Sequence, residues 1–232
     1  RALLAILVLV SHTNMWLPLW VAPLALGNVG VLLFFVLSGF VIAEACDVFY
    51  PGKPQWFLLN RFLRIYPTYW AACGVAIAIY AWTPPPEFNW NFVLIFANLS
   101  IVFAERLPPS DLRLISVIWA VGIELRFYVL AALVDYLDRF FSQRGKLQPG
   151  RLMFLAGVIF LALYVYTWTT GFNRFSVFKF APFFVLGFIY YRWLRYKSRI
   201  SILLGVLTLL ATLHSYVLYN SVTPETDTAS TT

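Results

Sequence analysis

Arg1-Ala2-Leu3-Leu4-Ala5-Ile6-Leu7-Val8-Leu9-Val10-Ser11-His12 opens the chain: one arginine, ten residues without a charge, one histidine. A helix rises about 1.5 Å per residue, which sets the two ionisable side chains about 16 Å apart along one axis. The apolar run does not stop there. From Ala2 to Ala43 the only ionisable side chain is His12. That is length enough for two bilayer-spanning helices, with Pro18, Pro23, Gly27 and Asn28 marking the turn between them. In such a helix Arg1 sits near one membrane face and His12 near the middle. Placing an ionisable group in hydrocarbon costs free energy, so His12 is a candidate functional residue from its depth alone.

Composition agrees with a membrane setting. Of the 232 residues 61% are hydrophobic, 12% are charged and the mean hydropathy is +0.78, more apolar surface than a soluble domain of this size hides. The 9 Trp and 13 Tyr suit anchoring at both interfaces. The net charge is +7, but the cations fall in short stretches between apolar runs. They therefore point to topology and to anionic lipid or phosphate rather than to nucleic acid. Cys46 and Cys73 fit neither a disulfide framework nor a metal site. The chain begins without Met at Arg1, and is expected to be part of a longer protein.

Taken in order, the apolar runs predict helices over about 2–20, 29–45, 66–82, 115–134, 152–170, 176–191 and 200–219. Pro84, Pro85 and Pro86 stop the third. The run Phe88–Ala104 is short for a span and interrupted by Asn89, Asn91, Asn98 and Ser100. With seven spans, the stretches 46–65, 135–151 and 192–199 lie on one side and hold 3, 4 and 4 basic residues. The positive-inside rule puts them and the N-terminus in the cytoplasm. Counting 88–104 as an eighth span would collapse that asymmetry. It is therefore expected to be re-entrant or interfacial, and packed against protein at membrane depth. The fold class is all-α: a polytopic membrane helical bundle of about seven transmembrane helices plus that segment. Residues 1–220 form a single membrane-embedded domain, and 221–232 a polar, disordered tail.

Three groups carry candidate chemistry. His12 suits general acid or base work, against the plainer alternative of a histidine bonded to a neighbouring helix. Glu124 lies centrally in the fourth run at similar depth, where a carboxylate needs a proton or a partner. Pairing with His12 would orient and charge the imidazole; a structural Glu–Arg pair between helices is the alternative. Tyr128 shares the face of Glu124 one turn on, while Arg126 points elsewhere. Arg61 and Arg64, with Arg1, form a cytoplasmic-side set of guanidinium forks suited to phosphate oxygens, or to lipid headgroups. His214, beside Tyr216 and Tyr219, reads as an interfacial histidine.

These stretches together resemble the acyltransferase 3 family of integral-membrane acyltransferases. Arg1 and His12 match its opening arginine, ten residues and histidine. Gly30-Val31-Leu32-Leu33-Phe34-Phe35-Val36-Leu37-Ser38-Gly39-Phe40-Val41-Ile42 is similar to its second-helix signature. Arg61-Phe62-Leu63-Arg64-Ile65-Tyr66-Pro67-Thr68-Tyr69 is similar to its third-helix entry. Trp119-Ala120-Val121-Gly122-Ile123-Glu124-Leu125-Arg126-Phe127-Tyr128 resembles its Trp-Glu-Tyr helix, with Ala120 where the family often has serine. Gly187 in Phe183-Phe184-Val185-Leu186-Gly187 is a fainter match. The resemblance covers roughly residues 1–130 and implies a family fold of about ten spans, of which this chain supplies about seven.

The resemblance also implies transfer of an acyl group, often acetyl, from cytoplasmic acyl-CoA to a hydroxyl on an extracytoplasmic glycan or small molecule. The setting would be the inner (plasma) membrane. His12 and Glu124 would be the catalytic pair, Arg1, Arg61 and Arg64 the acyl-CoA phosphate ligands, and Ser38 and Tyr128 substrate contacts. Acetyl-CoA is the expected donor and no metal is expected. Partners would be the bilayer, acyl-CoA and the acceptor. The Ser38-Gly39 pair also reads as packing for the first helix. The alternatives are a proton-coupled transporter with a His12, Glu124 and Lys179 relay, and a membrane scaffold subunit.

Overall fold

A computed structural model describes residues 2–12, 26–83, 91–104, 114–115, 118–145, 151–170, 176–197 and 199–222. The described chain is helical, with no strand among the described residues. The helices are α1 (Ala2–His12), α2 (Leu26–Glu44), α3 (Pro54–Trp82), α4 (Phe92–Leu99), α5 (Ile101–Ala104), α6 (Ile118–Gln143), α7 (Arg151–Thr170), α8 (Ser176–Lys179), α9 (Ala181–Tyr196) and α10 (Arg199–Val222). The expected remainder of the first helix beyond His12, and the tail beyond Val222, lie outside the described residues. The chain divides into two compact units. One comprises Arg1–Pro51 with Leu137–Thr232, the other Gly52–Tyr136.

In the first unit α9 is the central element. Residues Ala181 to Val185, then Gly187, Ile189 and Tyr191, are buried, and α2, α7 and α10 pack against it. The tightest crossing, with α2, is set by two glycines. A Cβ on Gly39 would stand 2.0 Å from the carbonyl oxygen of Phe184, and one on Gly187 would stand 1.9 Å from that of Val36. Gly39 therefore serves α9 rather than the first helix, since only hydrogen at both positions lets the two backbones approach so closely. Phe35 fills the space beside them, stacked on Phe184 at 4.9 Å and tilted against Phe180 at 5.3 Å.

One end of this unit is polar. Past Glu44 the second helix widens into a π-helical turn, Ala45–Phe49, and the Cys46 carbonyl accepts from Arg139 Nη2 of α6 at 3.0 Å. Asp47 on that turn accepts from the hydroxyls of Tyr191 at 2.8 Å and Tyr196 at 3.0 Å, with Arg195 Nε at 4.0 Å. Burial first, and then the Asp47 carboxylate, raise the pKa of the Tyr196 phenol. Asp138 accepts from the Leu152 amide at 2.8 Å and so caps the start of α7.

Several expected boundaries need correction. Gly27 and Asn28, expected in a turn, lie inside α2, and the helix expected over 176–191 is two helices, α8 and α9, the second reaching Tyr196. The loop expected over 46–65 is helical from Pro54 onward, because proline at the first helical position has its φ already set and gives up only an unpaired N–H. Pro67 lies inside the same helix. The fourth expected helix does not end at residue 134 but runs to Gln143, its Asp135 and Asp138 both buried. The segment 88–104 contains two short helices broken at Ser100, which is extended (φ −102°, ψ 114°).

That break is stabilised within the second unit. Asn91 caps α4 through its side chain on the Val93 amide at 2.9 Å. Asn98 is 1% exposed. Its Oδ1 accepts from Leu114 N at 2.8 Å, and its Nδ2 donates to Leu94 O at 3.0 Å. Its backbone carbonyl accepts from the Tyr69 hydroxyl, and the next carbonyl, Leu99, accepts from Trp70 Nε1 at 3.0 Å. Two residues of α3 thus serve the open carbonyls at the C-terminus of α4. Tyr69, Cys73, Ile101, Leu114 and Ile118 form the apolar core around them.

Two described stretches, Gly27–Phe49 and Pro54–Trp82, are long and apolar enough to cross a bilayer, and Arg151–Thr167 and Ile202–Val217 are shorter apolar helices. The surface of α3 is strongly apolar: Trp56, Phe62, Leu63, Trp70, Val75, Ile79 and Trp82 are exposed. A stripe of that kind fits hydrocarbon better than water.

Candidate functional site

The second unit holds four of the side chains that matter here. Phe57 and Arg61 are one turn apart on α3 and so share a face. Glu124 and Tyr128 stand in the same relation on α6. The Arg61 guanidinium lies over two rings, with Cζ 5.2 Å from the Phe57 centroid and 5.4 Å from that of Tyr128. The two rings meet edge to face at 5.9 Å. The Tyr128 hydroxyl donates to Glu124 Oε1. Arginine, tyrosine and carboxylate therefore form one chain of contacts.

Burial gives this chain its character. Phe57 is 1% exposed, Tyr128 4% and Arg61 5%. A guanidinium out of water loses hydration that two aromatic faces restore only in part. Arg61 Nε is buried without a hydrogen-bond partner among the described residues. A cation with an open N–H in such a place is suited to a ligand oxygen. Arg64, three residues on, is exposed. Position 64 is turned about 60° from position 61 on the helix, so the two cations serve different surroundings.

The remaining expected site residues fall elsewhere. Arg1 lies outside the described residues; His12 is the last residue of α1, and its side chain also lies outside them. Ser38 is buried on α2 in the first unit. His214 pairs with the Tyr164 hydroxyl through Nδ1 at 2.7 Å, and neighbouring Ser215 donates to the Lys179 carbonyl at 3.1 Å. Cys46 and Cys73 are buried and form no disulfide, one in each unit. Phe57 was not expected at the site. The signal for it was an aromatic residue one helical turn before Arg61.

The described residues are helical, two stretches are long and apolar enough to cross a bilayer, and the second unit holds a buried arginine and tyrosine in contact with a half-buried carboxylate. The comparison with protein families decides the class. A model described as Acyltransferase domain, of the acyltransferase 3 family, matches residues 1–231, and the chain belongs to that family. Among curated proteins it is similar to the exopolysaccharide production protein ExoZ of Rhizobium meliloti (strain 1021), with 34% identity over 116 residues. That alignment covers 46% of this chain and 34% of the relative, so the chain matches about a third of the relative's length. No solved structure matches.

Proposed function

We propose that the chain belongs to a multi-pass enzyme of the inner (plasma) membrane that moves an acyl group, acetyl first, from cytoplasmic acyl-CoA to a hydroxyl of an extracytoplasmic glycan or related acceptor. The observation that carries the reading is the family match over residues 1–231, a span that includes Arg1, His12, Arg61, Arg64, Glu124 and Tyr128. The printed name of the relative, an exopolysaccharide production protein, supports a glycan acceptor. Seven spans with a cytoplasmic N-terminus, and 88–104 as a re-entrant piece, follow from the distribution of basic residues.

In this reading the acceptor oxygen attacks the thioester carbonyl while His12 takes its proton; the C–S bond breaks, CoA leaves as the thiol and an ester remains. Transient acylation of His12 is the two-step variant of the same exchange. Glu124 supplies the carboxylate that supports the charge developing during proton transfer. Arg64 and Arg1 offer charge to the donor phosphates, and Arg61 offers its open N–H to a donor oxygen. Ser38 contributes a hydroxyl to the substrate side.

The test uses the full chain in membrane vesicles supplied with acetyl-CoA at the cytoplasmic face, and measures free CoA thiol and labelled glycan. His12→Ala that inserts and still gains thermal stability from acetyl-CoA should release thiol about 10²-fold or more slowly than wild type. Near-normal turnover would remove His12 from the reaction, and no stabilisation of either protein by acyl-CoA would remove the donor.

A further inference from the structure

Tyr128 is attached at both ends. Its ring faces the Arg61 guanidinium at 5.4 Å, and its hydroxyl donates to Glu124 Oε1. Phe57 closes the ring edge at 5.9 Å, leaving Tyr128 only 4% exposed. A phenol donor has a single proton, and here a carboxylate takes it. An aromatic face has one best place for a cation, and here a guanidinium fills it. Little of Tyr128 remains to meet an acceptor sugar.

We infer that Tyr128 is a positioning residue rather than a substrate contact: one side chain fixes the Glu124 carboxylate through its hydroxyl and the Arg61 guanidinium through its ring. The inference rests on the acyl-transfer reading above and refines the Tyr128 role expected from the sequence. Glu124 and Arg61 stand on different helices, α6 and α3, and Tyr128 is in contact with both. Holding both from one rigid ring sets the carboxylate that serves turnover in register with the cation that serves the donor. Preorganisation of this kind lowers the reorganisation needed at the moment of reaction.

The two attachments separate chemically. Phenylalanine keeps the face and loses the hydroxyl; leucine loses both. Steady-state kinetics of the full chain in vesicles, with acyl-CoA and acceptor varied in turn, should divide them. Tyr128→Phe should lower kcat about tenfold or more while the KM for acyl-CoA stays within about twofold. Tyr128→Leu should show the same loss in kcat and a donor KM raised about fivefold or more. Phe57→Leu, which removes the other ring from Arg61, should raise the donor KM. The double variant Glu124→Gln/Tyr128→Phe should fall no further than Glu124→Gln alone, because the hydroxyl acts through that carboxylate. Rates are normalised to the folded fraction of each variant, because a smaller active fraction alone lowers the apparent kcat at constant KM; a purely structural role for Tyr128 then leaves the normalised kcat and the donor KM at wild-type values.

Additive losses in the double variant, normal kcat in Tyr128→Phe, or a raised KM for acceptor alone would each overturn the inference and leave acyl transfer standing. A wild-type chain that moves no acyl group from any acyl-CoA would overturn the proposed function, and this inference with it.

Discussion

Gly187→Ala is the sharpest perturbation of the fold. A Cβ at this position would lie 1.9 Å from the carbonyl oxygen of Val36, 2.7 Å from Phe40 N and 2.9 Å from Val36 C, all backbone. No side-chain rotation relieves a clash with backbone, so α2 and α9 must move apart by about 1 Å or more. Overpacking of this kind costs about 1–3 kcal/mol. Separation also strains the Phe35–Phe184 stack at 4.9 Å, an aromatic pair whose geometry contributes about 0.5–1.5 kcal/mol. Alanine returns about 1 kcal/mol through its better helix propensity. A net loss of about 2 kcal/mol lowers the unfolding midpoint by roughly 4–8 °C for a chain of this length. Thermal unfolding of purified protein in detergent reads it, with two built-in controls. Gly74→Ala on α3 meets nothing within 4 Å and should raise the midpoint slightly, and Gly205→Ala meets only Ile189 Cγ2 at 3.6 Å and should be near neutral. Equal midpoints for Gly187→Ala and Gly74→Ala would refute the crossing.

Other outcomes follow from single contacts. Asn98→Ala strands the buried Leu114 amide and should cost about 2–3 kcal/mol. Hydrogen exchange at that amide should speed up more than at residues of α7. Arg64→Ala should raise the donor KM about tenfold, with little change in kcat, in an assay of thiol release. Unchanged KM would return Arg64 to lipid or topology. The raised pKa of Tyr196 favours its neutral, donating form in the fold. Its share of stability is therefore complete below the ordinary tyrosine value of about 10 and is lost as the pH rises through the raised value. The thermal midpoint of wild type should fall above that pH by more than that of Tyr196→Phe.

The sequence carried the helical class and the shared face of Glu124 and Tyr128, though not the bond between them, since both follow from local spacing: apolar runs of span length, and a four-residue step along one face. It carried the short character of 88–104 too, because the asparagines and Ser100 break the apolar pattern where the structure breaks the helix. What it missed depends on contacts distant in sequence. Asp135 and Asp138 marked a loop by charge, yet Asp138 caps α7, and Arg139 reaches the π-turn carbonyl of Cys46, 93 residues away. Arg61 and Arg64 looked equivalent, yet Arg61 is buried beside Phe57 and Tyr128 while Arg64 is exposed. Gly39 and Gly187 stood as separate, weak features. Their meaning is mutual and appears only when α2 and α9 cross.

The central claim is that acyl-CoA gives up its acyl group through chemistry at His12 and Glu124. It is tested most directly by thiol release and glycan labelling from radiolabelled acetyl-CoA, comparing wild type, His12→Ala, Glu124→Gln and the double variant in the same vesicles. The account predicts transfer by wild type alone, with residual rates about 10²-fold or more lower in each single variant and no further fall in the double. It also predicts unimpaired thermal stabilisation of all four by acetyl-CoA. Transfer at near wild-type rate by His12→Ala, or fully additive losses in the double variant, would contradict it.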